Sequence, residues 1–381
     1  YTSGRSRGMV ASVSGWPRSA GAGAGRILVT EVDESDGTQA LMRSTVAVIT
    51  NIEDDHCWSL GGEAALRANF AEFARRAQRV VTWDSPATRA VLGSHPCVHL
   101  ASTADIPADL ELAVPGQHNR SNACLALLVT DALGVPRADA VQALRSFHGV
   151  DRRLTVRFRT PHDRRVVVED YAHHPTELRA SLSALRASWP RHALRVVFQA
   201  HRFERVKRYA QPFGEVLSEW ADAVTVVAPF AAWVDDAGIA DPRQIAAAVH
   251  GRPCEYWDAP LAELAAALAS ADGPEREVIA VVGAGDVAKV VPDLVNRLRE
   301  REWQRLEAGL AAAGVPYDRS RTWAELTTLG VGTDRPLRVL PRTLQELSAA
   351  LCFANAAGVP VWPLGAGSKL VGTDEEPLRL V

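Results

Sequence analysis

Two acidic clusters stand near the start of the chain, Glu31-Val32-Asp33-Glu34-Ser35-Asp36-Gly37 and Thr50-Asn51-Ile52-Glu53-Asp54-Asp55-His56. The first concentrates like charge at the end of a short apolar run, a costly arrangement unless a cation or water offsets it. Alone it reads as a solvated acidic turn; two such ends on adjacent strands could share one hard cation. Magnesium prefers oxygen donors, so His56 by itself is a weak ligand candidate. Farther on, Pro115-Gly116-Gln117-His118-Asn119-Arg120-Ser121-Asn122-Ala123 opens a helical pattern, and its asparagines suit capping. Arg152-Arg153 follows a Gly149-Val150-Asp151 turn, and guanidinium forks of this kind grip phosphate oxygens, although an Arg pair is often plain surface. Glu169-Asp170-Tyr171-Ala172-His173-His174-Pro175-Thr176-Glu177 and Phe198-Gln199-Ala200-His201-Arg202-Phe203-Glu204-Arg205 each lie where a strand gives way to a helix. Strand C-termini of open parallel sheets form ligand crevices. Adjacent histidines do not easily face one metal, and a Pro-initiated helix with a capping histidine is the structural alternative.

The elements that must carry these residues are legible in part. Residues 26–32 and 45–51 read as short buried strands, and helix patterns follow over 63–76, 119–133 and 138–147. From Arg152 the rhythm is βαβ. Strands are expected at 165–170, 194–199, 223–227, 254–257 and 277–282, and helices after Pro175, through 213–220 and over 244–249, 261–268 and 287–298. Leu178, Leu182 and Leu185 fall on one helix face and predict packing on a sheet. The fold class is α/β, with a doubly wound, Rossmann-like parallel sheet in the second unit. A charged helical stretch over 295–306 leads to a third unit with a helix at 344–357, a strand at 361–364 and a Gly-rich turn. The expected division is 1–25, a loose segment; 26–149; 150–300; and 301–381.

At 381 residues, 47% hydrophobic and 23% charged, the chain is sized for two or three folded domains. A formal net charge of −3 with intermixed signs removes the electrostatic argument for a nucleic-acid binder. The five cysteines are scattered and unpaired by spacing, which predicts a reducing, cytoplasmic setting. No apolar run reaches membrane-spanning length and the first residues lack a signal-peptide centre, so neither membrane insertion nor export is expected. Oligomeric state is not legible.

Taken together, E-x-D-E-S-D-G, T-N-I-E-x-D-H, G-x-H-N-x-x-N-A, D-Y-x-H-H-P-T-E and H-R-F-x-R, in this order over about residues 26–299, resemble the UDP-N-acetylmuramate:L-alanine ligase group of the Mur ligase family. The resemblance implies a partial central ATP-binding domain over 26–149 and the C-terminal domain over 150–300. It also implies ATP and Mg2+ as cofactors and UDP-N-acetylmuramate and L-alanine as substrates, in peptidoglycan synthesis. By matching position it implies Glu31 and His56 as magnesium ligands, Asn119 on the ATP base and Arg153 on the γ-phosphate. Asp170 and His173 would orient the phosphates and the reacting amine, and Tyr171, His173, His201, Arg202 and Arg205 would meet substrate. Ala200 departs from the proline usual in the family, and the A-G-E-x-P-I-P-G pattern often found downstream is missing. Gly283-Ala284-Gly285-Asp286 matches the family's closing turn; a G-x-G by itself says little. No G-x-x-x-x-G-K-[ST] occurs in the sequence, so the resemblance implies a chain that begins inside the central domain, with impaired ligase activity as it stands.

The tail segments 326–332 and 361–370 resemble the beginning of UDP-N-acetylenolpyruvoylglucosamine reductase. That implies a truncated FAD-binding unit over 301–381, in which Gly365, Gly367 and Ser368 would meet the FAD pyrophosphate if the unit were complete. As it stands, no retained flavin is expected. Two other readings remain open: an FAD/NADPH-dependent UDP-N-acetylmuramate dehydrogenase, and a catalytically inactive nucleotide-binding module.

Overall fold

The computed structural model describes residues 6–9, 20–22, 27–55, 57–231, 237–270, 273–365 and 367–368, with the backbone alone at 6–9, 20–22 and 237. Strands β1 (Ser6–Met9), β2 (Ala20–Ala22) and β3 (Ile27–Leu28) form a small sheet in the order β2-β1-β3. Pairing stops at Leu28, short of the strand expected through Val32, and Glu31 lies exposed beyond it.

The central unit is a parallel three-stranded sheet in the order β4-β5-β6, made of β4 (Val46–Ile49), β5 (Arg79–Trp83) and β6 (Val98–Ala101). Helix α1 (Glu63–Arg75) and helix α2 (Pro86–Leu92) make its crossovers, and α3 (Gln117–Ala132) and α4 (Arg137–Arg145) follow. Successive residues of a strand face opposite sides. Val80 accordingly packs with Ile49, Ala74 and Leu92, whereas Val81 packs with Ala101 and Leu125 of α3. Ser85, with Pro86 behind it and a reciprocal bond to Thr88, starts α2 with a capping box.

The second unit runs β7 (Thr155–Arg159), β8 (Arg165–Asp170), α5 (Pro175–Ser188), β9 (Ala193–His201), α6 (Phe203–Trp220), β10 (Ala223–Phe230), α7 (Gln244–Ala248), β11 (Cys254–Trp257), α8 (Leu261–Ser270), β12 (Glu277–Val282) and α9 (Val290–Ala312). Its six-stranded sheet has the order β11-β10-β9-β12-β8-β7. Five strands are parallel, as the βαβ rhythm predicts, but β7 runs antiparallel to β8 and makes the sheet mixed. The sheet is covered on both sides, which is why β8, β9 and β12 read as continuous apolar runs. Val166, Val196 and Phe198 face α5 and α6, including Leu178, Leu182 and Leu185; Val167, Val197 and Ile279 face α8 and α9.

Helix α9 is 23 residues long and passes without interruption through residue 300. Val291, Leu294 and Leu298 belong to the core beneath the large sheet. Leu306 and Leu310, farther along the same helix, belong to the core of the tail with Val315, Leu337, Ala350 and Ala354. That tail contains β13 (Tyr317–Asp318), α10 (Trp323–Leu326), β14 (Arg338–Val339) and α11 (Leu344–Ala357), with β13 and β14 antiparallel. The strand expected over 361–364 is reduced to an isolated bridge at Val361. Pro360 and Pro363 on either side of it have no N–H to donate to a ladder.

Candidate functional site

β8, β9 and β12 run in parallel, so their C-terminal ends meet at one edge of the second unit. Asp170, the last residue of β8, is buried and accepts hydrogen bonds from Leu154 N–H at 2.7 Å, Ala172 N–H at 2.8 Å and Ser181 Oγ at 2.9 Å. Burial pushes its carboxyl above the usual range against these bonds. Those partners make Asp170 the tie between the 152–154 junction, the β8 end and α5. On β9, the Gln199 amide donates to Ala228 O at 3.1 Å and Asp286 Oδ1 at 2.9 Å, and accepts from Val287 N–H at 2.9 Å. The glycine turn after β12 is thereby drawn against β9. A Cβ at Gly283 would lie 2.7 Å from Gln199 O, and one at Gly285 would lie 2.6 Å from Phe230 Cβ.

Above this floor sits Tyr171. The guanidinium carbons of Arg152 and Arg153 lie 4.8 and 5.2 Å from its ring centre, which lets one π-system hold two like charges side by side. Arg152 takes a positive φ of 61°, bonds Glu169 Oε1 at 2.8 Å and reaches Gly283 O at 3.3 Å. Arg153 remains half-exposed, with a long 3.4 Å contact to Glu177. Tyr171 meets the His173 ring edge-on at 5.3 Å, and His173 lies 6.2 Å from His201, which stacks on Phe230. Burial lowers the His173 pKa and keeps it neutral. Its Nδ1 lies 3.0 Å from the Tyr171 carbonyl, which can only accept, so Nδ1 carries the proton and Nε2 the lone pair. Glu177, which burial pushes up, is nevertheless held below the usual carboxylate range by the Arg153 guanidinium and by the His173 backbone N–H, from which it accepts a hydrogen bond. His174 is the N-cap of α5, as the capping alternative required.

The first turn of α3 faces the same region. Asn119 Nδ2 donates to Pro115 O at 2.6 Å. The neighbouring His118 has a buried Nδ1 without a hydrogen-bond partner among the described residues. Burial lowers its pKa, with Asp170, Arg153 and Glu177 as the charges acting on it. Arg202 begins α6 at φ 71°, a conformation costly for a residue with a Cβ, held by its N–H to Phe230 O at 2.7 Å. Its Nε is likewise buried without a partner. Orphaned polar atoms at His118 and Arg202 suit a polar ligand in the crevice. Arg205 is buried, with a bidentate contact to Asp55 at 2.9 and 3.0 Å.

Of the residues singled out in the sequence, Arg153, Tyr171, His173 and His201 are brought together, with Asn119 on the facing helix. Arg152, read in the sequence only as half of an arginine pair, belongs to the same constellation, as do Glu177 and His118, which were given no role; each adjoins a chosen residue in sequence or by one helical turn. For magnesium, Glu31 is exposed and His56 lies outside the described residues. Among the described residues no group of three or more His, Cys, Asp or Glu side chains assembles as a metal site. In the tail, Gly367 O accepts from Thr328 N–H at 3.0 Å, joining the two segments 326–332 and 361–370. Gly367 has φ 69°, and a Cβ there would collide with Leu326 O and Thr327 Cα. Gly365 and Ser368 are exposed, and Ala366 and Lys369 lie outside the described residues.

The profile of the "Mur ligase, glutamate ligase domain" matches residues 152–285. The UDP-N-acetylmuramate--L-alanine ligase of Bifidobacterium longum subsp. infantis is 35% identical, over 73% of this chain and 64% of the relative. The enzyme of the same name from Bordetella petrii is 33% identical, over 72% of this chain and 68% of the relative. The chain thus spans about two thirds of the length of these curated relatives. Among solved structures, a UDP-N-acetylmuramate-alanine ligase from Thermotoga maritima superposes with a TM-score of 0.64 at 23% identity, over 78% of this chain and 70% of the other. A MurF ligase from the same organism, in complex with ADP, gives 0.58 at 18% identity, over 78% and 75%. These two likenesses concern the fold. All of these relatives and structures bear ligase names, and none bears that of a reductase.

Proposed function

We propose, from the premise that this chain belongs to the UDP-N-acetylmuramate--L-alanine ligase family, that its crevice serves ATP-dependent joining of L-alanine to UDP-N-acetylmuramate in peptidoglycan synthesis. The observation that carries the reading is the Tyr171 cluster: two arginines on one ring beside a buried neutral histidine, at the C-terminal edge of a parallel sheet. A free carboxylate does not form an amide without activation. ATP supplies this by transferring its γ-phosphoryl group to the muramoyl carboxylate, with ADP leaving. The alanine nitrogen then attacks the acyl carbon, phosphate leaves, and the nitrogen gives up a proton.

In this reading Arg153, half-exposed and loosely paired, meets phosphoryl oxygens, while Arg152 is committed to Glu169 and Gly283 and sets the position of the turn. His173 presents the Nε2 lone pair toward the amine. His201 and Arg202 supply polar contacts to substrate, and Asn119 the base contact on the facing helix. Asp170 contributes by fixing the junction and α5 in register. No step is assigned to magnesium; Glu31 and His56 stand as its ligands only by resemblance. Among the described residues no helix is long and apolar enough to cross a membrane, and the cytoplasm, where the nucleotide substrates are made, is the setting the reading requires. Alanine-dependent ADP release tests it: release that is independent of alanine and of UDP-N-acetylmuramate in an ATP-binding preparation rejects it.

A second reading concerns the tail alone. The hydrogen bonds from Thr328 to Gly367 O unite the two segments that resemble the reductase, and this supports the start of an FAD-binding unit over 301–381. The truncated unit is expected to retain no flavin after gel filtration with added FAD; stoichiometric flavin absorbance that survives filtration overturns this and moves the dehydrogenase reading ahead.

A further inference from the structure

Three successive carboxylates of the second acidic cluster are each engaged by the second unit. Glu53 Oε2 accepts from Thr176 Oγ1 at 2.6 Å and lies 3.2 Å from His174 Nδ1. Asp54 accepts from the Tyr209 hydroxyl, through Oδ1 at 3.1 Å and through its carbonyl at 3.2 Å. Asp55 holds Arg205 with both oxygens, and the Arg205 side chain is 1% exposed. Next along the chain, the Trp58 ring has Arg205 and Arg208 at 5.5 and 5.1 Å from its centre. The loop between β4 and α1 is therefore gripped by the start of α5 and the first two turns of α6.

Like charges at neighbouring positions repel, and a buried guanidinium without a carboxylate is destabilising by several kcal/mol. Each side is thus unfavourable alone and matched by the other. A contact of this kind contributes little net stability against an apolar substitute but selects one relative arrangement of the parts. Arg205 Nη2, moreover, lies within hydrogen-bonding distance of both Asp55 carboxylate oxygens, across a sequence separation of 150 residues.

We infer that the Asp55–Arg205 pair, flanked by Asp54–Tyr209 and Glu53–Thr176, is a catch that holds the second unit closed on the central unit, with Arg205 as a positioning residue in it. The catch does not depend on which reaction the crevice performs.

Hydrogen–deuterium exchange on the full chain, without nucleotide or substrate, tests it. In Asp55→Asn and in Arg205→Met, amides of residues 57–62 and 174–178 exchange at least tenfold faster, while those of β9 and β12 keep their protection. The exchanged pair Asp55→Arg with Arg205→Asp regains protection relative to either single change. Tyr209→Phe, which removes only the hydroxyl, gives a smaller acceleration in the same peptides. Unchanged exchange in the single variants overturns the catch, and so does acceleration spread through β9 and β12, since the pair would then support the fold as a whole. Because no reactant is present, either failure leaves the ligase reading standing, and loss of alanine-dependent ADP release alone leaves the catch standing.

Discussion

Gln199 and Gly285 are in direct contact: the amide oxygen that accepts from Val287 N–H occupies the space where a side chain at Gly285 would begin. The glycine turn is therefore kept closed by a β9 side chain, and its glycines are required by close approach rather than by φ at position 285, which is −87°. Gly285→Ala should displace the Gln199 amide and cost about 1–3 kcal/mol, as overpacking of a filled site does. Urea denaturation measures this. Gly285→Ala with wild-type stability would show that the turn relaxes freely.

The parts of this arrangement that the sequence shows are those built from local pattern. β8, β11 and β12 have the bounds expected from their sequence pattern, and α11 fills its expected range because Thr343 caps it and Gly358 ends it in a left-handed turn. β7 was not anticipated, although Thr155-Val-Arg-Phe-Arg159 alternates polar with apolar residues, the pattern of a half-exposed edge strand. β5 and β6, five and four residues long, carry too little pattern to stand out before the sheet is assembled. Within the crevice, each residue chosen came from one contiguous string. The pairing of Arg205 with Asp55 was illegible because it joins positions 150 apart, and no local rule selects that partner over another carboxylate.

Arg153 and His173 lie in the crevice without forming its core, so their truncation should affect turnover more than folding. In the chain joined behind an upstream segment carrying G-x-x-x-x-G-K-[ST], Arg153→Ala and His173→Ala should each lower kcat by the equivalent of about 2–4 kcal/mol, as loss of a preorganised group does. Arg152→Ala should also lower stability, because it leaves the buried Glu169 carboxylate with Arg157 alone. Steady-state ADP release with thermal melts separates the two effects; near-wild-type turnover in both crevice variants rejects the assignment.

Two histidines have pKa values lowered chiefly by burial, His118 and His173. Each stays neutral in the folded chain at pH values where it protonates when unfolded, near 6.5 and below. Their contribution is fully present above that value and is lost as pH falls through the lower folded pKa. Folding stability should therefore be level in this respect from pH 7 to 8 and decline below about 6.5. The decline should be shallower in His118→Gln with His173→Gln. Chemical denaturation at half-unit pH intervals decides it, an unchanged slope in the double variant counting against the burial account.

Leu310 is fully buried in the tail core although it belongs to the helix that also packs beneath the large sheet. Leu310→Ala should cost about 2–5 kcal/mol locally. Hydrogen exchange should quicken across residues 315–357 and stay slow in β9 and β12, giving two resolved unfolding steps. A single cooperative transition in the variant would show that the tail and the large sheet melt as one.

The uninterrupted α9 also sets a rule for how the two cores can be altered relative to each other. Leu298 faces one and Leu306 the other on the same rod, and each residue of an α-helix adds about 1.5 Å of rise and about 100° of rotation. Inserting a single residue between them would swing the entire tail a quarter-turn or more around the axis and carry Gly358 away from its present neighbour in the second unit, Pro161. Length changes at this joint are consequently tolerable only near whole turns, in steps of seven or eleven residues that restore the facing, so the joint behaves as a geared shaft rather than as a tether.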